Sequence, residues 1–302
     1  MGHRTLTLII TVVLLLAASV AAAQARLTVY AVNYPLQYFA QRIAGEQAEV
    51  ILPVPPGIDP AFWQPDVKAI AGFQQVDIIL LNGAGYAKWV NRVSLPRRKL
   101  VDTSAGFRDR YISTDGDITH SHGREGDHSH AGTAFTTWLD FTQAVEQARA
   151  VAEALSRQRP ASRDDFARNL TALEKDLLHL DRRIREIVVT NPGESLVASH
   201  PVYQYFKRSY GLNLESVMWE PEAVPDEAQW SELTSLLKGH PAGWMIWEGK
   251  PNPESVARLR SMGVASLVFD PCGNRPAAGD FLGVMKQNVQ NLERGLQSLP
   301  GR

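Results

Sequence analysis

The chain has 302 residues, with 31 lysines and arginines against 32 aspartates and glutamates, a net charge of −1 with neutral histidines. So even a balance gives no basic footprint for nucleic acid and no polybasic attraction to an anionic membrane. The single cysteine, Cys272, excludes an internal disulfide framework.

Residues 1–25, MGHRTLTLIITVVLLLAASVAAAQA, start with one arginine, pass through an apolar core from Leu6 to about Ala18 and end in small residues. Ala23 and Ala25 form an A-x-A arrangement, the mark of a cleavable secretory signal. The apolar core is shorter than the ~20 residues that cross a bilayer. No cysteine follows it to carry a lipid, so the expected mature chain begins near Arg26, has about 277 residues and is exported to a bacterial periplasm. That length supports one large or two modest domains. Cys272 reads as a small buried residue rather than a reactive thiol.

From Leu27 short β-type runs alternate with helical ones: LTVYAV, then the helical LQYFAQRIAG, then AEVILPV, a Pro/Gly-rich turn, VDIILLNG and KLVDTS. A further helix is expected from near Trp138. Continuous apolar strands spaced by helices point to parallel α/β units. Between the halves, apolar residues fall at Phe166, Leu170, Leu173, Leu177, Leu180, Ile184 and Ile187, spaced 4-3-4-3-4-3. This is one stripe along an amphipathic helix, which Ser162 can cap with Asp165 three residues on, and which NPG ends. About 27 helical residues span ~40 Å. A coiled-coil dimer is the rival reading, but a brief stripe between two α/β halves favours a connector packed across both. The second half repeats the scheme with SLVAS, LESVMW, GWMIWEG and ASLVFDP. The expected fold is α/β: two parallel-sheet lobes joined by one long α-helix, with a ligand cleft between the lobes. The lobes are assigned to 26–158 and 192–302 and the connector to 159–191.

In open parallel sheets, ligands bind outside the carboxyl ends of the strands. Three polar residues stand at such ends: His200 after SLVAS, Glu248 after GWMIW and Asp270 after ASLVF. Imidazole and carboxylates converging from separate strands suit a divalent metal of the zinc type. Capping of the following helix is the plain alternative for each. Trp63, Trp138, Trp219, Trp244 and Trp247 lie in or beside the same segments, where aromatic faces can pack, stack on an organic ligand or hold a cation.

The segments VNYPLQYFAQRIAGEQAEV, GIDPAFWQP, VDIILLNGAGYAKWV, WLD, ASHPVYQYFKRSYGL, FDP and MKQNVQNL fall in order along almost the whole mature chain. Together they resemble the periplasmic zinc- or manganese-binding proteins of ABC importers. The resemblance implies two α/β lobes bridged by a long helix, a metal in the cleft, zinc in the branch with His-rich loops and manganese in its relatives, and delivery to a membrane permease. It implies a solute-binding protein and not an enzyme, working as a monomer. The family's ligands are a histidine from each of three motifs and one carboxylate. His200 in SHP and Asp270 in FDP keep two of them, while Ala61 in DPAFWQP and Thr136 in AFTTWLD stand where the other two histidines belong.

Two protein ligands make a poor zinc site, since structural zinc takes four and catalytic zinc three. Glu248 can add a third. A histidine from the stretch HSHGREGDHSH, which holds His120, His122, His128 and His130, can fold over the site. A chelated metal can arrive with its own ligands, or the cleft can take a different molecule. Trp63, Thr136, Trp138, Trp219 and Trp247 are the expected lining of the cleft. The His-rich stretch cannot bury a core; its paired imidazoles, mostly neutral at pH 7 with an unperturbed pKa of ~6.5, make an accessory metal collector. A periplasmic metallochaperone with this loop is the second reading. H-E-x-x-H, G-x-S-x-G and phosphate-binding glycine loops do not occur.

Overall fold

The computed structural model describes residues 25–114, 119–121, 127–129 and 132–297. The leader and two of the loop histidines, His122 and His130, lie outside the described residues.

The first half is a four-stranded parallel sheet of β1 (Leu27–Ala31), β2 (Ala48–Ile51), β3 (Ile78–Leu81) and β4 (Leu100–Asp102) in the order β2-β1-β3-β4. The second half repeats that order with β9 (Ser195–Ala198), β10 (Asn213–Ser216), β11 (Trp244–Trp247) and β12 (Ala265–Val268), arranged β10-β9-β11-β12. Every neighbouring pair in both sheets is parallel, with Val29 opposite Ile78 in one and Leu196 opposite Trp244 in the other. Parallel pairing needs crossover connections, and helices α1 (Tyr34–Ala44), α2 (Val67–Gln75), α5 (Gln204–Tyr210), α6 (Glu227–Gly239) and α7 (Pro253–Ser261) supply them. In each sheet the strand order reverses beside the first strand, which opens a crevice at the carboxyl edge.

Two short antiparallel pairs complete the strands. β5 (Ser113–Thr114) pairs with β8 (Gly132–Thr133). Within the His-rich stretch, β6 (Thr119–Ser121) pairs with β7 (Asp127–Ser129) and sets His120 opposite His128.

The connector is helix α4 (Arg163–Val189), 27 residues long, whose stripe is buried at Phe166, Leu173, Leu177, Leu180, Ile184 and Ile187. It packs on α1 and α3 (Phe141–Gln158) of the first half and on α8 (Phe281–Gln297) of the second. Its start departs from the expected cap: the Ser162 side chain makes no capping bond, and a 3-10 turn over Pro160–Ser162 leads the chain into it. Helix α3 begins at Phe141, three residues after Trp138, because Asp140 accepts from the amides of Thr142 and Gln143 and so fixes the first turn. Trp138 sits in the 3-10 turn before it.

One apolar cluster runs from the first sheet through α4 into the second sheet, and a second lies inside the C-terminal half around Trp219, Trp230, Met245 and Trp247. Cys272 is free and buried. No helix among the described residues is long and apolar enough to cross a membrane.

Candidate metal centre

A cavity of about 550 Å³ lies between the carboxyl edges of the two sheets. Three strands of the C-terminal half each deliver one carboxylate to its lining, and a fourth places a histidine behind two of them. His200 follows β9, Glu220 follows β10, Glu248 follows β11 and Asp270 follows β12. His200 is 2% exposed, and its Nδ1 stands 3.7 Å from Glu248 Oε1 and 3.8 Å from Glu220 Oε1. Donors around tetrahedral zinc, bonded at ~2.0–2.1 Å, are about 3.4 Å apart. The three groups therefore stand slightly wider than a bound ion requires. Among the described residues, no group of three His, Cys, Asp or Glu side chains is drawn together tightly enough to hold an ion as it stands.

Asp270 is fixed from two sides. Its Oδ1 accepts from the amide of Cys272 at 2.6 Å, and Asn288 brackets its backbone, accepting from Asp270 N and donating to Asp270 O. Asp59, Glu220, Glu222, Glu248 and Asp270 all line the cavity, and no lysine or arginine does. Crowding has its electrostatic consequence. Burial, then the neighbouring Glu220, Asp59, Asp270 and Glu222, push the Glu248 carboxyl well above the usual carboxylate range. Burial raises Asp270 too, against the opposing bond from Cys272 N. A cation placed among these carboxylates would favour the charged form of both.

The opposite wall is aromatic. Tyr86, Phe135 and Trp138 line it, with Tyr86 edge-on to Phe135 at 5.3 Å and to Trp138 at 5.7 Å between ring centroids. Tyr86 is carried by the turn after β3, where Gly83 has φ +75° and a Cβ would collide with Ser104, Asp102 and Tyr111. The N-terminal half contributes one carboxylate, Asp59, whose Oδ1 caps the amide of Ala61.

Hydrogen bonds fasten the halves on either side of the cavity. Trp138 Nε1 donates to Pro271 O at 2.8 Å, Tyr34 N to Gly273 O at 2.8 Å, and Asn274 Nδ2 to Pro55 O and Ile58 O. On the other flank Thr136 Oγ1 donates to Val202 O and Tyr205 OH to Ala134 O.

Glu248, Asp270 and Trp138 thus line one cleft, and His200 lies buried behind it against Glu220 and Glu248. Four other expected lining residues do not. Trp219 and Trp247 are buried in the second apolar cluster, Trp219 edge-on to Trp230 at 4.6 Å between ring centroids and Trp247 donating to Ser266 Oγ. The reason is alternation: neighbouring residues on extended chain point to opposite sides, so each indole turns into the core while the next residue, Glu220 or Glu248, reaches the cavity. Trp63 packs against Phe73 and Trp89 behind the wall. Thr136 is buried and outside the cavity lining, its hydroxyl committed to Val202 O. Ala61 is likewise buried and outside that lining, while Thr136 lines a smaller cavity with Pro201, Val202 and Gln204 of the other half. The sequence reading missed Asp59, Glu220 and Glu222; the signal was present in GIDP and in the acids of WEPE, each following the carboxyl end of a strand.

Comparison with known proteins places this geometry. The chain is 25% identical over 290 residues to the zinc-binding lipoprotein AdcA of Streptococcus pneumoniae, across 90% of this chain and 56% of that one. It thus spans a little over half the length of that relative. The substrate-binding lipoprotein ScbA of a metal ABC transporter in Streptococcus cristatus is 24% identical over 90% of this chain and 89% of its own length. The fold matches the Zn(II)-bound ZnuA-like domain of Streptococcus pneumoniae AdcA with a TM-score of 0.76 at 21% identity, covering 91% of this chain and all of that one. It also matches the solute-binding protein FpvC of Pseudomonas aeruginosa bound to Ni²⁺, with a TM-score of 0.72 at 19% identity over 92% and 99% of the two chains. The model of the family described as ZnuA, zinc-uptake complex component A, periplasmic, matches residues 29–295, and the chain belongs to that family.

Proposed function

We propose that this protein is the solute-binding component of an ABC importer for a divalent metal, with zinc as its first substrate and manganese as the second. It captures the metal outside the inner membrane and hands it to a membrane permease. The observation that carries the reading is the convergence of Glu220, Glu248 and Asp270 from the ends of three parallel strands onto one anionic cavity, with His200 from a fourth buried against the two glutamates. His200 supplies the nitrogen donor, Glu248 and Glu220 stand beside it, and Asp270 completes the C-terminal set. Binding without catalysis is part of the same reading, in which each donor holds the cation. The family and the zinc-binding and metal-transport names of its relatives agree with this. The leader at 1–25 and the periplasm belong to the proposal, as do the lobe limits 26–158, 159–191 and 192–302 and a monomeric state.

The His-rich stretch fits as an accessory collector. His120 and His128 are cross-strand partners in β6 and β7.

The test is a competitive zinc titration of the metal-stripped mature protein beside His200→Ala and a deletion of residues 120–130. Tight one-to-one binding abolished by His200→Ala, with weaker additional sites removed by the deletion, is the expected result. Binding that disappears with the loop and ignores His200 would move the metal site out of the cleft.

A further inference from the structure

The cavity is one-sided, and this bears on what it carries. The C-terminal wall presents Glu220, Glu222, Glu248 and Asp270, with His200 buried behind the first and third; the N-terminal wall presents the ring cluster of Tyr86, Phe135 and Trp138 with Asp59 alone for charge. An ion seated between His200 Nδ1 and the two glutamates has protein donors on one side and open space on the other. That space belongs to a cavity of about 550 Å³, far more than a dehydrated ion and a few waters at ~30 Å³ each would fill. It falls within the ~300–1,000 Å³ of small-molecule sites, which are walled by aromatic groups with a few convergent polar ones.

Nor are the walls free to collapse on a bare ion. The bonds from Trp138 to Pro271, Tyr34 to Gly273 and Asn274 to Pro55 and Ile58 pin one flank, and those from Thr136 to Val202 and Tyr205 to Ala134 pin the other. Ala61 has no donor atom and the Thr136 hydroxyl is committed to Val202 O, so neither position supplies a side-chain ligand across the gap.

Resting on the metal-capture reading above, we propose that the substrate is a metal complex: a divalent cation already carrying a planar organic ligand with neutral nitrogen donors. The metal is gripped by His200, Glu220 and Glu248, and the organic ligand lies against Tyr86, Phe135 and Trp138. The charge of the lining selects the ligand class. Five carboxylates and no lysine or arginine face the cavity, so an anionic chelator is repelled while a cationic complex with neutral donors is held.

The probe is zinc with one equivalent of 2,2′-bipyridine, a neutral planar chelator, titrated into the metal-stripped mature protein beside zinc alone and zinc–nitrilotriacetate, which is anionic. The zinc–bipyridine complex is expected to bind about tenfold tighter than zinc alone, with the nitrilotriacetate complex excluded. Phe135→Leu should reduce the bipyridine gain to less than about threefold, because an aliphatic side chain keeps bulk and loses the ring face. If bipyridine instead weakens zinc binding in proportion to its own hold on the metal, the substrate is the bare ion. The inference then falls while the metal-capture function stands. A bipyridine gain that survives in both Phe135→Leu and Tyr86→Leu also overturns it. Failure of the parent protein to bind zinc in either form would remove the metal-capture reading as well. The comparison on the parent protein decides the matter even where a variant does not fold.

Discussion

In the C-terminal half, His200, Glu220, Glu248 and Asp270 all appear within four residues of the end of their strands. In the N-terminal half the same strand order, β2-β1-β3-β4, delivers Asp59 from a longer connection after β2, Tyr86 from a glycine-rich turn after β3, and Phe135 and Trp138 from the approach to α3. Both sheets place their carboxyl edges at the cleft, so topology fixes where a ligand sits in each. What the edge carries is independent of topology, and here one edge carries a histidine and acids and the other an aromatic wall. A repeated fold can therefore hold an asymmetric site, with the donors of one wall already crowded and the other wall shaping the remaining space.

The sharpest way to break that comparison is at its nitrogen donor. His200→Ala should weaken zinc binding by ~100-fold or more, since a direct ligand costs at least what its supporting groups do. A competitive titration checks it, and an unchanged affinity would mean the C-terminal wall is not the donor wall. Glu248→Gln should cost about 10–100-fold in zinc affinity and act oppositely on the metal-free fold. Removing a crowded, buried charge should raise stability by ~1 kcal/mol at pH 7, a few degrees in Tm by calorimetry.

The same residue sets the pH dependence. Because its folded pKa lies above the unfolded value, the stability it contributes is present at acid pH. That stability is lost as pH climbs from the ordinary carboxylate range through the raised folded value. Metal affinity runs the other way across that window, as protons leave the donor. Titrations at a series of pH values should show zinc binding rising with pH, and less steeply in Glu248→Gln.

Smaller effects belong to the fastening between the walls. Trp138→Phe keeps the ring and deletes the Nε1 donor to Pro271 O; a loss of ~1 kcal/mol in stability is expected, seen as a lower Tm. Thr136→Val removes the hydroxyl that bonds Val202 O and should cost about 0.5–1 kcal/mol, with zinc affinity changed less than about twofold. A large change in affinity from Thr136→Val would show that the second flank, and not the donor wall alone, sets the site.

Much of this was legible in the chain. The central strands β3 and β11 coincide with continuous apolar runs, IILL and WMIW, because strands covered on both faces are continuously apolar, while edge strands such as β10, NLES, are mixed. The 4-3-4-3 spacing marked α4, since burial of a stripe is written at the helical period. His200, Glu248 and Asp270 could be named because a polar residue directly after a buried strand has few destinations. Glu220, Glu222 and Asp59 escaped notice because connections without helical or strand period hide which of their side chains turn inward. Trp219 and Trp247 misled for the related reason that the indole and the acid beside it share a sequence neighbourhood but face opposite sides.

The sequence by itself determined the elements, their alternation, the long connector and the carboxyl edge on which ligands gather, because those are carried by periodicities of a few residues. Only the tertiary structure decided which side chains meet across the cleft. The contacts that settle it join residues far apart in the chain, such as Trp138 with Pro271, Thr136 with Val202 and Asn274 with Pro55. No local pattern records such a pairing, since its energy exists only once both sheets and the helix between them have packed.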